Sequence, residues 1–164
     1  MLTNKLLNLA KMQPIMVFFD MDGTIAELNI WDTPRVINNE EGFYLKQRPL
    51  KCVLKQIKKL AKNKNIVVGL LSYCHYPNQE QDKLAWISKY APFIDKNNVH
   101  IIVLSQTKYS PEQKDYLKAE KLQEICNLEP NRQVFFVEDD KDVMKATHNK
   151  LKNVQVVHVT AFVK

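Results

Sequence analysis

The chain has 164 residues, 45% of them hydrophobic and 26% charged, and its formal net charge is +6. This size and balance predict one globular domain over residues 1–164, and the absence of any apolar run near about 20 residues excludes a membrane span. The positive charge favours anionic partners such as phosphates, nucleotides or nucleic acid. Three cysteines without a CxxC pair indicate neither a zinc site nor a redox motif.

The first fourteen residues, MLTNKLLNLAKMQP, alternate leucines with polar residues and lysines. They contain no continuous apolar stretch and no small-residue cleavage site, so they do not resemble a signal peptide. We interpret them as a short amphipathic helix that leads into the domain. The expected location is therefore cytoplasmic.

Five apolar runs follow, separated by segments of helical periodicity. Most of the runs are continuous rather than alternating, which is typical of parallel strands covered on both faces. Strand and helix in repeated alternation predict an α/β fold, a three-layer sandwich with a five-stranded parallel sheet. The predicted strands are residues 15–19, 66–72, 99–105, 134–137 and 154–159, and the predicted helices are residues 50–61, 79–90, 112–127 and 140–150.

Residues 25–48 interrupt this alternation, because they are too long for a tight connection and too polar for core. They form either a small cap or flap over a site, or a plain surface loop. Within them, Trp31, Phe43 and Tyr44 are candidates for stacking on a nucleobase, with packing inside the segment as the alternative.

Two aspartates separated by one residue stand directly after the first predicted strand, in FFDMDGT. Asp20 and Asp22 lie where ligands bind in parallel α/β sheets, beyond the carboxyl ends of the strands. Gly23 allows an immediate turn, and Thr24 can fix that turn by hydrogen bonding. Two close carboxylates repel each other unless a cation offsets their charge. Mg²⁺ fits this role, because it takes oxygen ligands and leaves room for a phosphate.

Other strand ends carry matching chemistry. Ser72 ends the second predicted strand, and Glu138, Asp139 and Asp140 end the fourth. Carboxylates, a hydroxyl and an ammonium group at one sheet edge favour phosphoryl transfer, in which a carboxylate attacks phosphorus and a second carboxyl moves protons. The ammonium comes from the segment before the fourth strand, which offers Lys114, Lys118 and Lys121.

The motif Asp20-Met21-Asp22-Gly23-Thr24 resembles the DxDGT motif of the haloacid dehalogenase (HAD) superfamily of phosphohydrolases. The resemblance implies a Rossmann-like sheet, Asp20 as the nucleophile and Asp22 as the general acid and base. It also implies Mg²⁺ held by Asp20, by Asp22 through its carbonyl and by Asp139, with Asp140 in a supporting role. The phosphate-binding residues implied by this resemblance are Met21, Gly23, Thr24, Ser72, Tyr73 and Lys118, with the choice of Lys118 resting on the similarity of KAEKL to the start of a helix in the family.

Residues 42–60 and 66–109 further resemble bacterial and phage proteins grouped with the 5′(3′)-deoxyribonucleotidases. This implies hydrolysis of a nucleoside monophosphate as the function, although residues 25–48 are short for the cap of those enzymes. A polynucleotide end phosphatase and a non-catalytic HAD-like binding protein are the alternatives. His75 and Tyr76 follow Ser72 and are candidate substrate contacts, whereas His100 and His158 lie in strands and are interpreted as structural.

Overall fold

The computed structural model describes residues 2–163 of the chain. Its core is one sheet of five parallel strands in the order β3-β2-β1-β4-β5. The strands are β1 Ile15–Phe19, β2 Ile66–Cys74, β3 Val99–Val103, β4 Gln133–Glu138 and β5 Val154–His158. The predicted five-stranded parallel sheet is therefore confirmed. β1 has the predicted bounds, and the other strands differ from theirs by one or two residues at an end, because backbone pairing rather than hydropathy decides where a strand stops.

Within residues 2–163 there are six α-helices. They are α1 Leu2–Leu9, α2 Thr33–Ile37, α3 Lys51–Ala61, α4 Pro77–Tyr90, α5 Leu117–Leu128 and α6 Lys141–Lys150. All but α2, which belongs to residues 25–48, cover the two faces of the sheet. Helices α1, α3 and α4 pack on one face, and α5 and α6 pack on the other, which gives three layers. The predicted three-layer α/β architecture is confirmed.

The central strand β1 explains why both faces are covered. All five of its residues are buried, and they alternate between the two cores. Ile15, Val17 and Phe19 belong to the core beneath α1, α3 and α4, whereas Met16 and Phe18 belong to the core beneath α5 and α6. A strand that buries both faces has no polar alternation, and this accounts for the continuous apolar run in the sequence.

The order of the strands fixes where a ligand can bind. The chain runs outward from β1 to β2 and β3, and then returns to β4 on the other side of β1. Such a reversal opens a crevice between neighbouring strands at their carboxyl ends. The crevice between β1 and β4 is where Asp20 and Asp139 follow their strands.

Residues 25–48 are folded rather than structureless. They contain α2 and 3₁₀ turns at Ile30–Asp32 and Tyr44–Lys46. The small cluster inside them is formed by Val36, Phe43 and Tyr44. The two ends of the segment are joined by backbone hydrogen bonds, from Glu27 N to Arg48 O and from Leu50 N to Ile25 O, each 2.8 Å. We call residues 25–48 the insert.

The segment predicted as one helix over residues 112–127 is divided in two. Ser110 and Pro111 start a 3₁₀ turn, Pro111–Tyr116, and regular α-helix begins only at Leu117. The first fourteen residues carry the expected short helix as α1, among the residues that the structure describes. Within residues 2–163, no helix combines the length and the apolar composition needed to cross a membrane.

Candidate active site

The turn after β1 places two carboxylates at the head of the crevice. The carbonyl oxygen of Met21 accepts hydrogen bonds from the amides of Thr24, Ile25 and Ala26 at 2.9–3.2 Å. This tight turn passes through Gly23 with a φ of +75°, a conformation that favours glycine. A Cβ on Gly23 would lie 2.1 Å from Oδ2 of Asp139, so the glycine also allows β4 to bring its carboxylate against the turn.

Three carboxylates from two strand ends form one acidic cluster. Asp20, Glu138 and Asp139 each offer an oxygen atom, and these atoms all lie within 4.8 Å of one another. Asp20 and Glu138 are buried. Thr24 donates its hydroxyl hydrogen to Oδ1 of Asp139 at 3.3 Å. The cluster combines hard oxygen ligands at short mutual distances, which is the donor set that Mg²⁺ prefers.

Glu138 organises the turn that follows β4. Its Oε1 accepts hydrogen bonds from the amides of Asp139 and Asp140, at 3.0 and 3.2 Å. Burial, together with the charge of Asp20, raises the pKa of Glu138 to about 8, although Lys118 opposes the shift. Burial and the charge of Asp20 likewise raise the pKa of Asp139. Without a cation, the acidic cluster therefore favours protonated carboxyl groups, whereas a bound metal cation would offset the negative charge of the ionised carboxylates.

Lys118, at the start of α5, is the lysine that reaches the acidic cluster. Its Nζ donates to Oδ1 of Asp20 at 2.6 Å and to Oε2 of Glu138 at 2.7 Å, and only 3% of the residue is exposed. Burial lowers the pKa of Lys118, but the two carboxylates outweigh it and raise the pKa above the ordinary lysine value. Of the two other candidates, Lys121 pairs with Glu124, and Lys114 contributes a carbonyl oxygen that accepts from the hydroxyl of Tyr73.

Asp22 lies in a second group, together with a lysine that the sequence analysis did not identify. Lys83 of α4 is completely buried, and its Nζ donates to Oδ2 of Asp22 and to the carbonyl oxygen of Tyr73. It also donates to Oγ of Ser72 at 2.9 Å. Burial raises the pKa of Asp22, and the charge of Lys83 partly offsets that rise.

Ser72 and Tyr73 point to different groups, as successive residues of a strand do. Ser72 is completely buried with its hydroxyl against Lys83. The ring of Tyr73 lies under the ammonium group of Lys118, 4.6 Å from Nζ to the ring centroid. β2 therefore places one side chain against Lys83 and the next against Lys118.

A cavity of about 150 Å³ opens over these groups. Its lining residues are Asp20, Asp22, Leu28, Tyr73, Lys118, Glu138, Asp139, Asp140 and Val143. Lys83 and Ser72 are not among them. A larger cavity of about 510 Å³ is lined mostly by residues of the insert, and Leu28 lines both cavities.

The remaining candidates have clear structural positions. Asp140 caps α6, since its Oδ1 accepts from the amides of Asp142 and Val143. In the insert, Phe43 and Tyr44 are buried in its small cluster, whereas Trp31 is 80% exposed. The hydroxyl of Tyr76 donates to the carbonyl oxygen of Ile37 at 3.2 Å, which ties the insert to the residue before α4.

The histidines and the cysteines are not among the residues that line the cavity of about 150 Å³. Burial lowers the pKa of both His75 and His100. Nδ1 of His158 lies 2.9 Å from the hydroxyl of Thr160, at the start of the last 3₁₀ turn. All three cysteines are free, and burial raises the pKa of the Cys74 thiol to about 11.

The sequence does indicate that Lys83 is buried, through its position on the helical face of α4. Along α4, Gln79, Lys83, Trp86 and Ile87 follow the spacing of one helical face, and all four are buried. A lysine in register with buried apolar residues indicates a paired ammonium inside the protein rather than a solvated side chain.

No protein-family model matches this sequence, and neither does any curated protein. Solved structures do match in shape. A chain of the Pnkp1/Rnl/Hen1 RNA repair complex superposes with a TM-score of 0.61 at 19% identity, over 90% of this chain and 42% of that chain. This chain thus spans less than half the length of that RNA repair protein.

Two further structures match over most of their own length. The class C acid phosphatase from Bacillus anthracis, with tungstate bound, has a TM-score of 0.54 at 15% identity, over 92% of this chain and 68% of that chain. A HAD family enzyme from Bacteroides thetaiotaomicron, in complex with magnesium and inorganic phosphate, has a TM-score of 0.51 at 14% identity, over 88% and 93% of the two chains. At these identities the likeness concerns the fold, and the fold of this chain is HAD-like.

Proposed function

We propose that this protein is a Mg²⁺-dependent phosphomonoesterase that works through an aspartyl-phosphate. The observation that carries the proposal is the arrangement at the end of β1. The carboxylate of Asp20 is fixed by Lys118, the carboxyl of Asp22 lies two residues away, and both line the same small cavity with Asp139. A nucleophile and an acid–base group with a shared void between them are the parts that this reaction requires. The HAD-like fold and the acid phosphatase with the same fold support it.

The residues present fit a divalent cation. Asp20, Asp22, Glu138 and Asp139 bring four carboxylates to the site, and Lys83 and Lys118 bring two ammonium groups. If all are ionised, two negative charges remain without compensation. Asp20 and Asp139 would hold the Mg²⁺ with the carbonyl oxygen of Asp22, and the ion would neutralise charge on the phosphoryl oxygens.

The two chemical steps follow from the positions of the two aspartates. A carboxylate oxygen of Asp20 forms a bond to phosphorus while the ester P–O bond breaks, and the leaving oxygen takes a proton from Asp22. Water then attacks the phosphorus of the aspartyl-phosphate and gives a proton to Asp22. The P–O bond to Asp20 breaks, and inorganic phosphate is released. Lys118 pairs with the charge on the equatorial phosphoryl oxygens.

The substitution Asp20→Asn tests this proposal. It keeps the shape of the side chain but removes the nucleophile, so phosphatase activity in Mg²⁺ should fall by about 10³-fold or more while the circular dichroism spectrum stays unchanged. Turnover close to that of the wild type would refute the assignment of Asp20. A wild-type protein that hydrolyses no phosphomonoester from a panel of nucleotides and sugar phosphates would instead favour a HAD-like binding protein.

A nucleoside monophosphate is the substrate that we favour. The cavity of about 150 Å³ at the aspartates is smaller than the roughly 300–1,000 Å³ of ordinary small-molecule sites, so it suits a phosphoryl group rather than a whole nucleotide. The neighbouring cavity of about 510 Å³, lined mostly by the insert, offers space for the leaving group. The exposed ring of Trp31 on the insert is available to stack on a base.

The second candidate substrate is a phosphorylated end of a nucleic acid. It is favoured by the likeness to the Pnkp1/Rnl/Hen1 chain over 90% of this chain, and by the net charge of +6. Binding to a strand releases counterions, so activity on a phosphorylated oligonucleotide would fall steeply with ionic strength. Activity on a mononucleotide would fall little. Parallel salt curves for the two substrates would argue against a strand-binding surface.

A further inference from the structure

Lys83 connects Asp22, the proposed acid–base residue, to Ser72 and Tyr73 on β2. Its ammonium group contacts the carboxylate of Asp22, the hydroxyl of Ser72 and the carbonyl oxygen of Tyr73. The ring of Tyr44, from the insert, covers it at 4.4 Å from Nζ to the ring centroid. Lys83 itself is completely buried and does not line the cavity, so it touches the substrate only through its partners.

Burial of this charge destabilises the folded state. Burying an ammonium group costs several kcal/mol, and an ion pair in the interior often contributes no more stability than apolar residues of the same volume. The neighbours of Lys83 on the same helical face include Trp86 and Ile87, which pack into the core. The packing of α4 against the core therefore does not by itself require a charge at position 83. The ammonium group is therefore better explained by what it does to Asp22 than by stability.

We propose that Lys83 is a positioning residue for proton transfer by Asp22, an inference that rests on the proposed phosphatase function. Its ammonium group holds Oδ2 of Asp22 in one direction and the hydroxyl of Ser72 in another. Asp22 thereby keeps its other oxygen directed to the cavity, where it gives a proton to the leaving oxygen and takes one from water. A misplacement of about 1 Å at such a group costs about 10²-fold in rate.

This role predicts different effects on the two chemical steps. Nitrophenolate leaves without a proton, so formation of the aspartyl-phosphate from 4-nitrophenyl phosphate does not need Asp22. An alkyl phosphate such as ribose 5-phosphate does need the proton. Hydrolysis of the aspartyl-phosphate needs Asp22 with either substrate, because the attacking water loses a proton.

The experiment compares Lys83→Met with Lys89→Met, the same change at an exposed lysine of α4. With ribose 5-phosphate, Lys83→Met should lower kcat about 10²-fold. With 4-nitrophenyl phosphate it should release a rapid burst of nitrophenolate, equal in amount to the enzyme, followed by slow turnover. Lys89→Met should behave as the wild type with both substrates.

Each other outcome counts against the inference. An equal loss with both substrates and no burst would assign Lys83 a structural role. Unchanged rates would show that Asp22 needs no support. If Lys83→Met does not fold, Lys83→Gln, which retains a hydrogen-bond donor, is measured in its place, and failure of both to fold would overturn the proposal. A wild type that hydrolyses neither these two substrates nor any phosphomonoester of the panel would reject the phosphatase function itself, and this is established before any variant is made.

Discussion

Gly23 meets two independent requirements, one of its own backbone and one of its neighbour. Its φ of +75° is strained for any residue with a side chain, and a Cβ would lie 2.1 Å from Oδ2 of Asp139. The strain alone costs about 1–2 kcal/mol. We therefore predict that Gly23→Ala destabilises the protein by more than that in urea unfolding. It should also abolish Mg²⁺-dependent phosphatase activity, because Asp139 must move away from the site.

Gly42 provides the matched control for this prediction. Its φ is +66°, but the nearest atom to a Cβ there is Cδ1 of Leu45 at 3.8 Å, an ordinary contact. Gly42→Ala should therefore lose about 1–2 kcal/mol of stability from strain and retain its activity. If the two variants lose equal stability and both remain active, then contact with Asp139 does not explain the glycine at position 23.

At the scale of single residues, a local motif was enough to predict which side chains stand at the edge of the sheet. Asp20 and Asp22 could be assigned to a site because a buried strand, two acids and a glycine follow one another in the chain. Lys118 could only be chosen among three lysines by resemblance, because the choice depends on the direction in which a helix faces the sheet. Lys83 lies 61 residues from Asp22, and nothing local in the sequence specifies that contact.

At the scale of elements, the strands and the longer helices were predictable because burial alone determines their pattern. In α3, Val53, Leu54, Ile57 and Leu60 form one buried stripe opposite the lysines. The insert could not be predicted in this way. It is fixed to α4 through backbone carbonyl groups, since Gln79 donates to Val36 O and Trp86 donates to Gln47 O, each at 2.8 Å. Such bonds use main-chain atoms and leave no trace in the hydropathy of the insert.

The docked insert leads to a prediction about selectivity. Trp31 is 80% exposed, so Trp31→Ala should not destabilise the fold. If the ring stacks on the base of a nucleotide, the substitution should lower kcat/KM for a nucleoside monophosphate by the factor that corresponds to a loss of about 1–3 kcal/mol of stacking free energy. Ribose 5-phosphate, which presents the same sugar and phosphate without a base, should be hydrolysed at an unchanged rate. The measurement is steady-state kinetics with both substrates.

Ile30→Ala is the control within the same 3₁₀ turn, because Ile30 is also exposed but cannot stack. It should leave both substrates unaffected. An equal loss for adenosine monophosphate and ribose 5-phosphate in Trp31→Ala would mean that the ring supports the shape of the insert. No loss for either would mean that the base lies elsewhere.

At the scale of the whole molecule, the overall charge and the local charge have opposite signs. The chain carries +6, yet the crevice between β1 and β4 collects more carboxylates than ammonium groups. A positive molecule attracts phosphates over a distance, and under the proposed function a cation would have to offset the acidic cluster before a phosphate enters. The topology places the acids together, because β1 and β4 become neighbours only when the chain reverses direction across the sheet.

This excess of negative charge predicts that Mg²⁺ stabilises the fold. An ion that binds only the folded state adds RT ln(1 + [Mg²⁺]/Kd), about 2.7 kcal/mol at 100 times the Kd. For a chain of this size each kcal/mol raises Tm by about 2–4 °C. Asp139→Asn should abolish most of this rise. Without Mg²⁺ the variant should be no less stable than the wild type, because burial and the charge of Asp20 raise the pKa of Asp139, which means that a charged carboxylate is unfavourable there.

Asp142→Asn is the control, because it removes the same charge three residues later at an exposed position, and it should keep the full rise in Tm. Thermal unfolding of the three proteins with Mg²⁺ and with EDTA makes the comparison, and an equal rise in Asp139→Asn and the wild type would place the ion outside the acidic cluster.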